Sequence, residues 1–185
     1  MKRNLMNQTL KSLFLIACSL QLITFSAFAE PGRACDCDAN SQYLQARKYE
    51  LGDDVRENPV QAVALYQKAA GQGHAAAQYS LGRMYAAGSG VRQDYAEALR
   101  WFQKAAGQNY ALAQNRIGVM YEKGQGVARD PVEAYKWYFL ASRQNENVFA
   151  VANCEVLSRR MTSDQIAEGQ KRATSTHELT IARVR

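Results

Sequence analysis

Apolar residues recur three and four apart through the middle of the chain, at Ala77, Leu81, Met84 and Tyr85, then at Ala98, Trp101, Phe102 and Ala105. That spacing is the period of amphipathic α-helices. Two such helices with a glycine-bearing link predict a helix-turn-helix unit, and the unit returns. Tyr85 comes back as Tyr121, Gly88 as Gly124, Gly90 as Gly126, Val91 as Val127, Asp94 as Asp130, Ala98 as Ala134 and Trp101 as Trp137, every offset being 36. A fainter copy lies upstream, where Tyr49, Gly52, Val55, Asn58 and Ala62 stand the same distance before Tyr85, Gly88, Val91, Asp94 and Ala98. The pattern predicts an all-α chain, an array of three helix-turn-helix units with a 36-residue period, at 41–76, 77–112 and 113–147.

Local chemistry sharpens the helix ends. Gly88 and Gly124 can adopt the left-handed conformation that stops a helix, and Gly90 and Gly126 allow a second tight bend. Asn58-Pro-Val-Gln61, Asp94-Tyr-Ala-Glu97 and Asp130-Pro-Val-Glu133 read as capping boxes, with Pro59 and Pro131 at the first helical position. Gly82 and Gly118 fall in mid-helix, where glycine costs about 0.5 to 1 kcal/mol relative to alanine. A close helix crossing would offset that cost, with Trp101, Trp137, Tyr85 and Tyr121 as inter-unit anchors and the Ala69-Ala70-Gly71 and Ala105-Ala106-Gly107 runs allowing approach. A single helix pair cannot bury its apolar face alone, so repetition is itself the stabilising device.

The start of the chain has another character. Lys2, Arg3 and Lys11 precede an apolar run from Leu13 to Phe28 that ends in Ala27-Phe28-Ala29. This is the pattern of a secretory signal cleaved after residue 29, too short in its apolar part for the roughly 20 residues of a membrane span. It implies a periplasmic or secreted protein with no membrane span after cleavage. A second reading takes Leu15-Ile16-Ala17-Cys18 as a lipobox with Cys18 lipidated, against which the sequence stays apolar through Phe28. A leader follows over residues 30–40.

Charge adds little. Of the 23 basic and 17 acidic residues, the signal removes three basic ones, which lowers the net charge from +6 to +3. No concentrated basic surface suggests nucleic acid as a partner. The local excess, Arg159, Arg160, Lys171, Arg172, Arg183 and Arg185, fits a solvated helix face and a basic tail over 175–185. The leader motif Cys35-Asp36-Cys37-Asp38 could supply thiolates and carboxylates to a metal, yet no second CxxC or histidine pair completes a ligand set, so no metal or cofactor is expected. Cys154 has apolar neighbours and reads as a buried small hydrophobe. His74 and His177 are isolated, and no catalytic triad or phosphate loop is visible, so no catalysis is expected.

The pattern A-x-x-x-L/I-G-x-x-Y-x-x-G-x-G-V-x-x-D-x-x-x-A-x-x-W-x-x-x-A resembles the Sel-one-like repeat family, relatives of the tetratricopeptide repeat. The first unit departs from it at Ala46, Asp54 and Leu65, as an end unit would. The resemblance implies an α/α solenoid whose C-terminal segment, 148–174, forms closing helices, with Thr162 and Gln165 as a further capping box. Some cysteine-rich relatives are linked to penicillin binding or β-lactam hydrolysis, but they carry a cysteine pair in each repeat, and this chain has no cysteine between Cys37 and Cys154.

By the same resemblance, the first helix of each pair lines a concave surface where a protein or peptide docks. The exposed positions there would be Tyr43 and Arg47, Tyr79 and Arg83, then Asn115 and Val119. Tyrosine with arginine is a common composition of binding hot spots. Gln103 and Lys136 are expected on the outer surface. The function implied is an exported protein-interaction scaffold, with a secreted factor that binds a host or foreign protein as the alternative.

Overall fold

The computed structural model describes residues 38–144 and 147–184. The signal segment with Cys18, the leader cysteines Cys35 and Cys37, and Arg185 lie outside the described residues. Within them the chain forms α1 (Ala39–Leu51), α2 (Pro59–Gly71), α3 (Ala75–Ala87), α4 (Tyr95–Ala106), α5 (Ala111–Lys123), α6 (Pro131–Ser142), α7 (Val148–Ser158) and α8 (Ser163–Val184). No strand occurs among the described residues. The helices pair as α1/α2, α3/α4 and α5/α6, and each pair packs on the next through α2 against α3 and α4 against α5. The last helix runs to Val184, so it takes in most of the stretch read as a tail.

Capping chemistry sets the helix starts. Asn58, Asp94 and Asp130 accept from the backbone N–H groups of Gln61, Glu97 and Glu133 at 3.1, 3.0 and 3.0 Å. The reciprocal half of the box, expected in all three, is absent, because the N–H groups of Asn58, Asp94 and Asp130 already donate to the Tyr49, Tyr85 and Tyr121 carbonyls at 2.8, 3.0 and 3.1 Å. Only Thr162 and Gln165 bond in both directions. The structure adds three caps: Asp38 on α1, His74 on α3 through Nδ1, and Asn147 on α7. Asp38 of the leader motif is thus engaged in starting a helix, and His74 is a half-buried structural residue rather than a free surface histidine.

The second loop glycine does more than bend. Gly90 and Gly126 both have φ +71°, and a Cβ on Gly90 would stand 2.4 Å from the Pro59 carbonyl oxygen, one on Gly126 2.8 Å from the Tyr95 carbonyl carbon. Each loop therefore rests on the start of the preceding unit's second helix. The first unit has Asp54 here at φ 59°, and no described helix pair precedes α1 for it to touch.

The mid-helix glycines face aromatic rings of their own unit. A Cβ on Gly82 would lie 2.7 Å from the Phe102 ring, and one on Gly118 2.6 Å from Tyr138. Phe102, Tyr138 and their first-unit counterpart Tyr66 are among the largest fully buried side chains. The expected tryptophan anchors are present but stand beside these rings: Trp101 and Trp137 are half-buried and pack against the clusters of the first and second units. Trp137 donates Nε1–H to Glu133 at 3.0 Å, whereas the buried Trp101 Nε1 has no partner among the described residues. Gly71 and Gly107 meet no neighbouring helix and end their helices instead, the close approach being left to the buried Ala69, Ala70, Ala105 and Ala106.

Glutamines bridge the helices within each unit and join units to one another. Gln72, Gln108 and Gln144 donate Nε2–H to Gln42, Gln78 and Gln114 at 2.9, 2.9 and 2.7 Å. Gln78 and Gln114 in turn donate to the Ala70 and Ala106 carbonyls, satisfying acceptors at the end of the preceding second helix. The array is closed by α7 and α8, which both pack chiefly on α6. Arg172 of α8 reaches Asp130 and Glu133, and the Lys136 side chain, held by Glu133 and lying over the Trp137 ring, is only 13% exposed rather than on the outer surface. Gln103 is exposed as expected.

Candidate functional site

The first helices α1, α3 and α5 carry all six residues expected to meet a partner, and the structure divides them. Arg47 is exposed and forms no ion pair among the described residues. Arg83, its counterpart one unit on, pairs with Glu50 at 3.2 Å. The tyrosines are half-buried packing residues. Tyr43 stacks on the His74 imidazole at 4.7 Å and lies 5.9 Å from Tyr66, while Tyr79 lies 5.4 Å from Tyr110 and 5.8 Å from Phe102. Each ring thus joins its own second helix to the residue that begins the next first helix. In the third unit Asn115 accepts from Asn153 of α7 at 3.0 Å, and Val119 packs into the cluster of Tyr138 and Leu157.

Beneath this face lies an alternation absent from the sequence reading. Glu50 accepts the Tyr66 hydroxyl proton at 2.6 Å, and Glu122 accepts that of Tyr138 at 2.8 Å. Burial, reinforced by the neighbouring carboxylate, raises both phenols far above the ordinary value of 10.0. Burial also raises Tyr110, Tyr121 and Tyr135. The equivalent positions of the second unit are Ala86 and Phe102. There a cavity of about 330 Å³ opens between α3 and α5, with Phe102 of α4 behind it and Arg83, Arg116 and Lys123 around it. Arg116 and Lys123 were not singled out from the sequence; comparing positions 50, 86 and 122 across the units, Glu, Ala, Glu, is the signal that points to them. A larger cavity, about 520 Å³, lies where α6 meets α8, with Arg143 as its one cation among the described lining residues.

The Sel1 repeat family model matches residues 39–74, 75–110 and 111–146. The chain belongs to the Sel1 repeat family. It is a Sel1-repeat helical scaffold, an architecture typically used for protein–protein interaction. The family frame starts each unit two residues before the one drawn from the sequence echo, at the first residue of α1, α3 and α5. Among solved structures, a Sel1 repeat protein from Oxalobacter formigenes is 34% identical with a TM-score of 0.61 over 64% of this chain and 47% of its own. The protein c5321, a protective antigen of uropathogenic Escherichia coli displaying an SLR fold, is 28% identical with a TM-score of 0.60 over 78% of this chain and 40% of its own. This Sel1-repeat chain therefore spans less than half the length of either. No match is found among curated proteins.

No group of three or more His, Cys, Asp or Glu side chains among the described residues is placed to hold a metal. Cys154 is a free, half-buried thiol raised from its ordinary value by burial. No helix among the described residues is long and apolar enough to cross a membrane.

Proposed function

We propose that this Sel1-repeat chain is a non-catalytic exported scaffold that holds a protein or peptide partner along the face of α1, α3 and α5, the concave side of the solenoid. The observation that carries the reading is the set of cations on that face without carboxylate partners among the described residues, Arg47, Arg116 and Lys123, set beside half-buried rings. Solvated arginine next to aromatic surface becomes a strong anchor once a partner excludes water. Export is supported by the charged start, the apolar run and Ala27-Phe28-Ala29; mass spectrometry of the mature protein is expected to find Glu30 as its first residue, and a lipid-modified Cys18 there would replace this with an anchored form.

The binding reading is tested by capture of partners on the immobilised protein. Leu44→Ser, at an exposed apolar position of α1, combined with Arg47→Glu, and separately Arg116→Glu on α5, are expected to reduce capture at least tenfold, while Gln103→Glu on α4 leaves it unchanged. Loss only in the α4 variant would move the site to the second helices. A second reading, a secreted factor that engages a host or foreign protein, is favoured by the likeness to a protective antigen; it differs in the origin of the partner and uses the same face.

A further inference from the structure

At the first and third units one position of the first-helix face is filled by a glutamate, a tyrosine and an arginine from the segment that follows, Arg83 of α3 or Arg160 after α7, and at the second it is open. In the first unit, Glu50 holds the Tyr66 hydroxyl and the Arg83 guanidinium at 2.6 and 3.2 Å. In the third, Glu122 holds the Tyr138 hydroxyl at 2.8 Å and lies 3.6 Å from Arg160. Thirty-six residues beyond Glu50, Tyr66 and Arg83 stand Ala86, Phe102 and Val119, so the carboxylate, the hydroxyl and the guanidinium are all missing together. The vacated volume is the cavity of about 330 Å³, walled by Ala86, Phe102, Val119 and Met120. Arg83, Arg116 and Lys123 surround it, and no Asp or Glu among the described residues lines it. The Arg83 side chain is 46% exposed despite its bond to Glu50.

We propose that this recess seats one apolar side chain of an acidic peptide segment, with the three cations receiving the carboxylates on either side of it. The proposal deepens the reading of the first-helix face as a protein-binding surface and rests on it. A concave apolar floor with a few convergent charges is the usual build of a specific site, and this volume falls at the low end of the roughly 300–1,000 Å³ of such clefts. The apolar walls reward a side chain that displaces water. Three like charges exclude a basic segment and make the attraction sensitive to salt.

Fluorescence anisotropy with labelled pentapeptides tests it on the folded protein. Asp-Glu-Leu-Glu-Asp amide is expected to bind saturably. Replacing its leucine by serine, or its four acids by lysines, is expected to weaken binding at least tenfold, and raising salt from 0.05 to 0.5 M to weaken it severalfold. The free-acid form separates two sources of carboxylate: equal binding assigns side chains, and binding at least tenfold tighter assigns a chain terminus, either result supporting the recess. The variant A86E/F102Y/V119R installs the trio of the first unit, whose Glu–Tyr pair has a second precedent in the third; it is expected to lose binding at least tenfold with its melting preserved. Should it fail to fold, R116E/K123E, changing two exposed cations, is expected to give the same loss. Acidic and basic peptides binding alike, indifference to leucine against serine, or full binding by a folded recess variant would each overturn the proposal. A recess variant that captures the native partner while L44S/R47E does not would overturn the recess and leave the face; capture unaffected by any first-helix variant would overturn the face itself.

Discussion

Tyr66 and Tyr138 show how one residue type is given two tasks by its surroundings. Each ring fills the core opposite a small residue of the first helix, and each hydroxyl ends on a carboxylate, Glu50 or Glu122. The folded protein keeps these two protons when an unfolded chain has lost them, so stability is full below about pH 10 and declines as pH rises above it. Spectrophotometric titration at 295 nm is expected to show Tyr66 and Tyr138 as the last of the ten tyrosines to ionise, their step coinciding with unfolding. Tyr66→Phe with Tyr138→Phe should flatten the alkaline fall in melting temperature; ionisation of all tyrosines together while the fold persists would contradict the buried hydrogen bonds. The sequence showed these positions as tyrosines but not as core, since an aromatic with a polar tip reads equally as surface and the partner carboxylates lie 16 residues away.

At the scale of elements, the 36-residue echo and the cap residues were enough to locate all six repeat helices, because helical period and capping depend on near neighbours in the chain. What depends on contact between units was legible only in part: the tryptophan anchors were read from the echo, the polar and steric contacts were not. The buried glutamines 78 and 114 look like ordinary polar surface until the preceding helix end supplies their acceptors. The loop glycines were read as bends, whereas the abutment on Pro59 and Tyr95 adds a steric demand. From this follows an asymmetry between equivalent loop positions. Gly90→Ala combines a left-handed backbone with a collision against the peptide linking Pro59 and Val60, and is expected to cost about 3 kcal/mol. Asp54→Gly changes an exposed residue already at positive φ and should stay within about 1 kcal/mol of wild type. Chemical denaturation of both variants measures the contrast; equal effects would remove the unit-to-unit role assigned to the loop.

For the whole molecule, α7 and α8 take the place of a further unit without repeating its arrangement, since both rest on α6. They cover Tyr135, Tyr138 and the Arg172 ion-pair site, so a chain ending after Gln144 is expected to melt at lower temperature and to self-associate in light scattering. A truncated chain that stayed monomeric and equally stable would deny them that closing role. Of the proposed binding face, the sequence located the helices and the exposed Arg47, but it could not show which tyrosines were already engaged, nor the opening that a missing trio leaves in the middle unit. The seating of each loop on its predecessor also bears on how such an array can lengthen by tandem duplication. Residues 75–110 carry Gly90 and can be copied in line behind themselves, each copy finding a helix start to rest on. Residues 39–74 carry Asp54 and suit only the head of the series. Growth by duplication is thus directed toward the middle of the chain, while the recess, which takes Arg116, Val119 and Lys123 from the unit that follows, would form only where the last copy meets residues 111–146.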